Sequence, residues 1–477
     1  MSTDLRALLA KYDVPGPRYT SYPSVPYWET APDEVQWLEL LQQAFDARTV
    51  DPGPVDRGPV DASQRTDAAQ GAALYVHIPF CQSLCTFCGC NTRITRSHSI
   101  VGPYIDTLLA ELDIYRQRLG VSRLPVSELY LGGGTPTFLT QAELTRLMEG
   151  LFARITPGAD LSASVEIDPR VTHADQLELL ARFGFRHLSA GVQDFDPRVQ
   201  AIVNREQSEH QTRETIDAAR RFGFQTISLD LIHGLPLQSA ASVNMTMDTV
   251  SRLRPERIAL YAYAHVPWIK PGQRRFTENE LPEEEQRRAL YELARLRLAA
   301  EGYHEIGLDH FALASDPLWQ AQRAGMLNRN FMGYSSLRAQ PLIGLGVSSM
   351  GDAGSALVQN DKDLQPYQDA VASGQLPLQR GHLLTTEDRV LRGHILRLVT
   401  RFETRWEQAC EQTPYLADIA ARLAEPQRDG LVVLDAHGCR VTETGRPFLR
   451  NLCMAFDARQ ARRLPHRSLV RSVRTAS

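Results

Sequence analysis

The sequence predicts an α/β protein whose core is a parallel sheet, closed or nearly closed into a barrel, followed by a mainly α C-terminal domain. Two observations carry the fold. Six short runs of β-branched or aromatic residues recur through the middle of the chain, separated by segments of helical period, and beyond about residue 375 helices take over. A third observation points to chemistry: four of the seven cysteines fall within ten residues, in Cys81-Gln-Ser-Leu-Cys85-Thr-Phe-Cys88-Gly-Cys90.

In chain order, residues 1–50 form an N-terminal segment. Residues 51–72, from Asp51-Pro-Gly-Pro-Val onward, are rich in Pro, Gly, Asp and Gln and nearly free of large apolar side chains, so they read as a flexible insertion. Strands are expected near Leu74–Ile78, Glu128–Leu131, Ala163–Ile167, His187–Val192, Thr226–Ile232 and Ile258–Tyr263. Between them, 101–119 places Ile105, Leu108, Leu109, Leu112 and Tyr115 on one helical face. The segment after Pro282 opens with Glu283, Glu284 and Glu285, which suit the positive end of a helix, and stops at Gly302. Six such units in series predict a barrel domain over 73–355, with a doubly wound sheet as the alternative that shares the local pattern.

Over 375–457 Thr385 and Asp388 stand in capping-box positions before Val390, Ile395 and Leu398. Leu431–Leu434 and Cys439–Val441 then flank Asp435-Ala-His-Gly438 as a hairpin before a final helix near 445–456, a winged-helix-like order. Residues 458–477 hold six arginines and no acid and read as a disordered basic tail.

A net charge of -4, with 43% hydrophobic and 23% charged residues, fits a soluble globular protein and argues against bulk nucleic-acid binding. No apolar run approaches the roughly 18 residues of a membrane span, and the N-terminus lacks the regions of a secretory signal. The clustered, odd-numbered cysteines suit a reducing compartment, so the expectation is a cytoplasmic protein, with a monomer as the default.

Cys81, Cys85 and Cys88 lie close enough in sequence for a polynuclear iron-sulfur centre, whose soft irons favour thiolates. A zinc knuckle completed by His77 or Cys90, or three core cysteines, are the alternatives. Gly132-Gly133-Gly134-Thr135-Pro136 follows the second strand, where glycines let the backbone approach a ligand and expose its N–H groups. Glu166, Gln193 and Asp230 end successive strands, as does the Tyr263-Ala-His265 stretch, so they converge on one pocket in a barrel. Each alone could be a strand-end cap. Arg205 could pair with a carboxylate of a ligand there, while His77 and His233 read as scaffold.

Cys-x3-Cys-x2-Cys after a first barrel strand, then Gly-Gly-Gly-Thr-Pro, resembles the radical S-adenosylmethionine superfamily. Within it the chain resembles the oxygen-independent coproporphyrinogen III oxidase (coproporphyrinogen dehydrogenase) family through Gly16-Pro-Arg-Tyr-Thr-Ser-Tyr-Pro23, Tyr75-Val-His-Ile-Pro-Phe-Cys81, Gly191-Val-Gln-Asp-Phe195, Asp230-Leu-Ile-His-Gly-Leu-Pro236, Asp309-His-Phe311 and Gly346-Val-Ser348. That resemblance implies a partial TIM-like (β/α)6 radical SAM barrel. It also implies a 4Fe-4S cluster on Cys81, Cys85 and Cys88, with Cys90 nearby but not a ligand. S-adenosylmethionine on the cluster would meet Tyr75, Gly133, Glu166 and Met350; a second molecule would meet Phe87, Gly134, Thr135, Gln193, Arg205, Asp230 and Ala264. The implied reaction converts two propionates of coproporphyrinogen III to vinyl groups through 5'-deoxyadenosyl radicals, giving protoporphyrinogen IX in haem biosynthesis. The electron donor and acceptor are unspecified. Arg18 and Arg329 are the expected partners of substrate carboxylates, and the stretch Arg18 to Tyr22 and the C-terminal domain are the candidates for a cap over the lumen. Where the family reads Asn-Phe-Gln-Gly-Tyr-Thr-Thr, this chain has Asn330-Phe-Met-Gly-Tyr-Ser-Ser336, with Met332 in place of an amide. A haem-binding chaperone on the same scaffold is the alternative function; such relatives lack the Pro-Arg-Tyr-Thr-Ser-Tyr-Pro stretch and the cysteine matching Cys90.

Overall fold

Strand order in the main sheet follows chain order, and that separates the two expected architectures. The computed structural model describes residues 7, 8, 10–12, 14, 16–49, 71–337, 341–464 and 469. After helix α1 (Glu34–Thr49) come β1 (Ala72–Ile78), α2 (Val101–Arg118), β2 (Leu124–Gly133), α3 (Gln141–Arg154), β3 (Ile155–Ile167), α4 (Ala174–Arg182), β4 (Phe185–Gln193), α5 (Glu209–Arg221), β5 (Thr226–His233), α6 (Ala240–Leu253) and β6 (Arg257–Ala262). Strands β1 to β6 pair in parallel, each with its neighbour in sequence. A doubly wound sheet reverses its order at a switch point; this one does not.

All six predicted strands are present, and six more extend the sheet. Helix α7 (Glu284–Ala300) leads to β7 (Tyr303–Gly307) and β8 (His310–Leu313), with β8 antiparallel to β6. On the other side β9 (Leu342–Leu345) runs parallel to β1 and is followed by the antiparallel β10 (Met350–Asp352), β11 (Ala356–Asn360) and β12 (Leu378–Leu383). The full order is β12-β11-β10-β9-β1-β2-β3-β4-β5-β6-β8-β7, so the sheet curves but does not close on itself. Sheet residues thus continue past the boundary expected at 375, to Leu383.

Local chemistry explains the helix starts. Thr140 with Glu143, Ser208 with Gln211 and Ser239 with Ser242 form reciprocal capping boxes before α3, α5 and α6. Right-handed crossovers then stack α2 on α3, α3 on α4, α4 on α5, α5 on α6 and α6 on α7 around one face of the sheet. The outward strand residues Leu129, Leu131, Val165, Leu188, Ala190, Leu229 and Leu231 are buried beneath those helices in the main core. The inward positions alternate with them: in β5, Ser228, Asp230 and Ile232 keep partial exposure between fully buried neighbours. This lumen is lined by polar side chains rather than by the packed layers of a filled barrel.

The last part contains α9 (Thr386–Arg401), a strand β13 (Glu403–Arg405), α10 (Leu416–Arg428), the hairpin β14 (Val432–Asp435) and β15 (Gly438–Val441), α11 (Leu449–Met454) and α12 (Ala458–Arg463); α8 (Leu364–Ala372) precedes β12. The Thr385–Asp388 capping box and the hairpin stand where the sequence puts them. Its core takes in Tyr19 and Tyr22 of the N-terminal segment. The tail departs from expectation, since residues 458–463 are helical and ion-paired. Arg459 pairs with Asp388 and Glu29, Arg462 with Glu387, and Arg463 with Glu29. The acids absent from the tail itself come from elsewhere in the chain. Residues beyond 464, apart from Leu469, lie outside the described residues. So does the expected 51–72 insertion, except for Gly71 and for Ala72, which opens β1.

One buried carboxylate fixes the turn after β9. Glu111 of α2 is fully buried and accepts from the Gly346 N–H at 2.8 Å, Asn360 Nδ2 at 2.6 Å and the Tyr367 hydroxyl at 2.6 Å. Burial pushes its pKa up to about 7 against the pull of those donors. The folded chain therefore holds a proton that the unfolded chain releases above its ordinary pKa of 4.5, and stability falls as pH rises through that window. We expect Glu111→Gln to lack this loss, so the Tm gap between wild type and variant shifts in favour of the variant between about pH 5 and about pH 8. Glu111→Ala takes the carboxylate acceptor from the Gly346 N–H and the Tyr367 hydroxyl, while Asn360 Nδ2 keeps the Gly346 carbonyl at 3.0 Å, and should cost roughly 3–5 kcal/mol in apo-protein denaturation.

Candidate active site

A cavity of about 540 Å³ opens at the C-terminal ends of β1 to β6, the functional end of such a sheet. The loop leaving β1 forms one wall, with Cys81, Cys85 and Cys88 all on the cavity. That loop is anchored from both sides. The Arg93 N–H donates to the Pro79 carbonyl at 2.7 Å and that of Thr95 to the Cys81 carbonyl at 2.9 Å. Across the cavity, Asn204 Nδ2 donates to the Leu84 carbonyl at 2.7 Å, and the Thr86 N–H to the Val203 carbonyl at 3.0 Å.

The glycine run is a steric necessity. Gly133 has φ +116°, and a Cβ there would stand 2.8 Å from the His77 ring. At Gly134 a Cβ would stand 2.8 Å from the Pro79 carbonyl group and 3.0 Å from Cys81 Sγ. His77 itself bridges the Tyr75 hydroxyl at 3.1 Å and the Asn91 carbonyl at 3.0 Å, and burial lowers its pKa to about 4, so its ring stays neutral. It is a scaffold residue, as expected.

Of the predicted site residues, Cys81, Cys85, Phe87, Cys88, Gly133, Gly134, Thr135, Glu166, Gln193, Arg205 and Asp230 all line this cavity. Tyr75, Ala264 and Met350 do not. Tyr75 pairs with Tyr130 across β1 and β2 and stacks on it beside Gly132. Ala264 follows β6, and its carbonyl accepts from Gln273 Nε2 at 3.1 Å. Met350 opens β10, where its backbone passes closely beside Gly344 on β9.

The floor carries two carboxylates. Glu166 accepts from the Tyr130 hydroxyl at 3.0 Å and the Gly133 N–H at 2.9 Å, and burial nonetheless raises its pKa. Asp230 accepts from the Ser189 hydroxyl at 3.0 Å. Burial, reinforced by the charge of Glu166, raises Asp230 to about 7. Beside them Asp168 is buried between two guanidiniums, 2.7 Å from Arg170 Nη2 and 3.1 Å from Arg205 Nη1. Burial works against its ionisation, but the two arginines hold its pKa below the ordinary value. Sequence reasoning missed Asp168, Arg170, Ser189, Tyr130 and Tyr261. The alternation in Ser-Val-Glu-Ile-Asp and His-Leu-Ser-Ala-Gly-Val-Gln, with polar residues at every second position of runs otherwise apolar, is the signal that could have found Ser189 and Asp168.

The thiols suit a thiophilic polynuclear centre. Cys81 Sγ lies 3.4 Å from the Thr135 hydroxyl, and Cys85 Sγ has arginine donors at 3.4 and 3.5 Å. Cys90 beside Cys88 favours the Cys88 thiolate and lowers its pKa. In a cubane each cysteine binds its own iron, and three thiols from one loop facing one cavity suit that donor set.

Comparisons with known proteins agree with this geometry. Residues 75–250 match the family model of the Radical SAM superfamily. Over 457 residues the chain is 38% identical to the oxygen-independent coproporphyrinogen III oxidase of Pseudomonas aeruginosa, covering 94% of this chain and 95% of that protein. It is 38% identical over 458 residues to the protein of the same name from Escherichia coli K12, covering 94% of each. The solved coproporphyrinogen III oxidase from Escherichia coli, described as a radical SAM enzyme, superimposes with a TM-score of 0.83 at 37% identity, covering 92% of this chain and 97% of that one.

Gly134→Ala should overpack the cysteine loop by about 1–3 kcal/mol while leaving the sheet intact. The expected result is a roughly 5- to 150-fold weaker hold on iron, read as iron and sulfide per chain after anaerobic reconstitution, with an unchanged far-UV circular dichroism spectrum.

Proposed function

Because the chain belongs to the oxygen-independent coproporphyrinogen III oxidase family of radical SAM enzymes, we propose that it oxidatively decarboxylates two propionates of coproporphyrinogen III to vinyl groups, giving protoporphyrinogen IX without oxygen. The observation that carries this reading is a cavity that combines three thiols, a glycine turn and a polar lumen at the C-terminal strand ends. The haem-chaperone alternative is not favoured, since relatives similar over nearly the whole chain bear the enzyme's name.

Cys81, Cys85 and Cys88 would hold the 4Fe-4S cluster. Once bound, cluster and S-adenosylmethionine would supply the radical chemistry that oxidation of a propionate needs. The chain's own residues bind, orient and exclude water. Tyr75, Gly133, Glu166 and Met350 would meet the cluster-bound cofactor. Phe87, Gly134, Thr135, Gln193, Arg205, Asp230 and Ala264 would surround a second S-adenosylmethionine. This reading takes the enzyme to be a cytoplasmic monomer; no helix among the described residues is long and apolar enough to cross a membrane.

Arg18 supports a lid role for the N-terminal segment. Its guanidinium lies over the Tyr261 ring at 5.0 Å and donates to the Ala262 carbonyl at 3.1 Å, while Tyr261 lines the cavity. Burial and the like charges of Arg450 and Arg329, opposed by Asp309, depress its pKa. Arg450 is already paired with Asp309, whereas Arg329 rests on the Tyr334 ring at 4.9 Å with a buried Nε that has no partner. Both Arg18 and Arg329 would therefore welcome a substrate carboxylate. Met332, at the tip of the hairpin of Asn328–Asn330 and Gly333–Ser335, is held by its N–H on Asn330 Oδ1 at 2.8 Å.

The deciding experiment is anaerobic turnover of reconstituted protein with coproporphyrinogen III, S-adenosylmethionine, a reductant and an electron acceptor. Protoporphyrinogen is expected, and none from Cys85→Ser; 5'-deoxyadenosine without decarboxylated porphyrin would sink the substrate assignment. Arg18→Ala should raise KM roughly 10- to 150-fold, as expected for losing a hydrogen bond to a charged group worth about 1.5–3 kcal/mol, with a smaller change in kcat.

A further inference from the structure

The three cysteines do not share one environment. Cys81 has a neutral hydroxyl beside it, that of Thr135, and Cys88 has the thiol of Cys90. Cys85 alone receives guanidinium donors, Arg170 Nη2 at 3.5 Å and Arg205 Nη1 at 3.4 Å. Arg205 divides its remaining contacts between Asp168 and the Gly191 carbonyl. Arg170 has nothing else to do: its Nε and Nη2 grip Asp168 at 3.0 and 2.7 Å, and the same Nη2 is aimed at sulfur. Asp168 follows the end of β3 by one residue and is 7% exposed, so the fork is set by rigid scaffold. Two cations and one anion leave one net positive charge facing Cys85.

We propose that Arg170 is a tuning residue that raises the reduction potential of the cluster through a charge-assisted N–H···S hydrogen bond to the Cys85 thiolate. This rests on the reading of Cys85 as a cluster ligand. Reduction adds negative charge to the iron-sulfur core, and donors to its sulfurs and nearby positive charge stabilise the reduced form more than the oxidised one. The planar guanidinium can satisfy the carboxylate and the sulfur together, which an ammonium at the same place cannot do with the same directionality. Asp168 keeps the fork aimed and removes half of the local positive charge.

The test is an EPR-monitored redox titration of the full-length reconstituted protein before S-adenosylmethionine is added. Arg170→Gln should make reduction at least tenfold less favourable, a fall of about 59 mV for a one-electron couple. Arg170→Lys, which keeps the charge and loses the fork, should fall between that and wild type. An unmoved midpoint in Arg170→Gln at wild-type iron content overturns the proposal while leaving the cysteine assignment intact. Folded Arg170→Gln that takes up no iron, with Arg170→Lys unshifted, overturns it in favour of a role in assembly. A wild-type chain that takes up no iron and sulfide overturns the cysteine assignment, and this proposal with it.

Discussion

Everything at the cavity depends on how the end of β1 is clamped. The His77 ring lies against the backbone of Gly133 on one side, and the His77 carbonyl lies where a Cβ of Gly346 would come within 2.8 Å on the other. The Tyr104 hydroxyl closes the clamp, donating to the His77 carbonyl at 2.8 Å and accepting from the Val347 N–H at 3.2 Å. Four residues later the chain reaches Cys81, with little length over which error could accumulate. Glu111 holds the Gly346 side of the clamp and Glu166 the Gly133 side, so the site is fixed by one buried and one half-buried carboxylate, neither of which touches a cysteine.

A second consequence follows from alternation. Helices cover the outer face of β1 to β6 and demand aliphatic residues there, which leaves the inner positions free of that demand. In a closed barrel those positions would be filled with branched side chains. Here they carry Tyr130, Glu166, Ser189, Asp230 and Tyr261, and the sheet remains open, with β12 and β7 at its edges. Openness and polarity belong together: a lumen that must admit a large polar ligand cannot also supply the core, so the core lies outside the sheet.

Much of this was legible in the sequence because it is local. The six strand runs, the capping box at Thr385 and the hairpin around Asp435 each depend on neighbours within a few residues. Glu166, Gln193 and Asp230 could be grouped because topology brings strand ends together. What was not legible depends on distance. Leu378–Leu383, Leu-Gln-Arg-Gly-His-Leu, contains no β-branched residue and becomes a strand only because β11 offers an edge. Residues 458–463 read as a loose basic end because their counter-charges, Glu29 and Asp388, lie far away in sequence. Tyr75 and Met350 came from resemblance alone, and Ala264 from its place after the sixth strand; none of the three is on the cavity lining.

The same long-range pairs impose an order on biosynthesis. The Tyr19 hydroxyl contacts Asp457, a sequence separation of 438 residues, and Glu29 meets Arg459 across 430. A ribosome makes the N-terminal segment first, but its partners emerge among the last residues described. Contacts of such span form late. Throughout most of translation, then, the sheet can fold while the N-terminal segment waits for its docking surface, and that segment is seated only when the far end of the chain arrives.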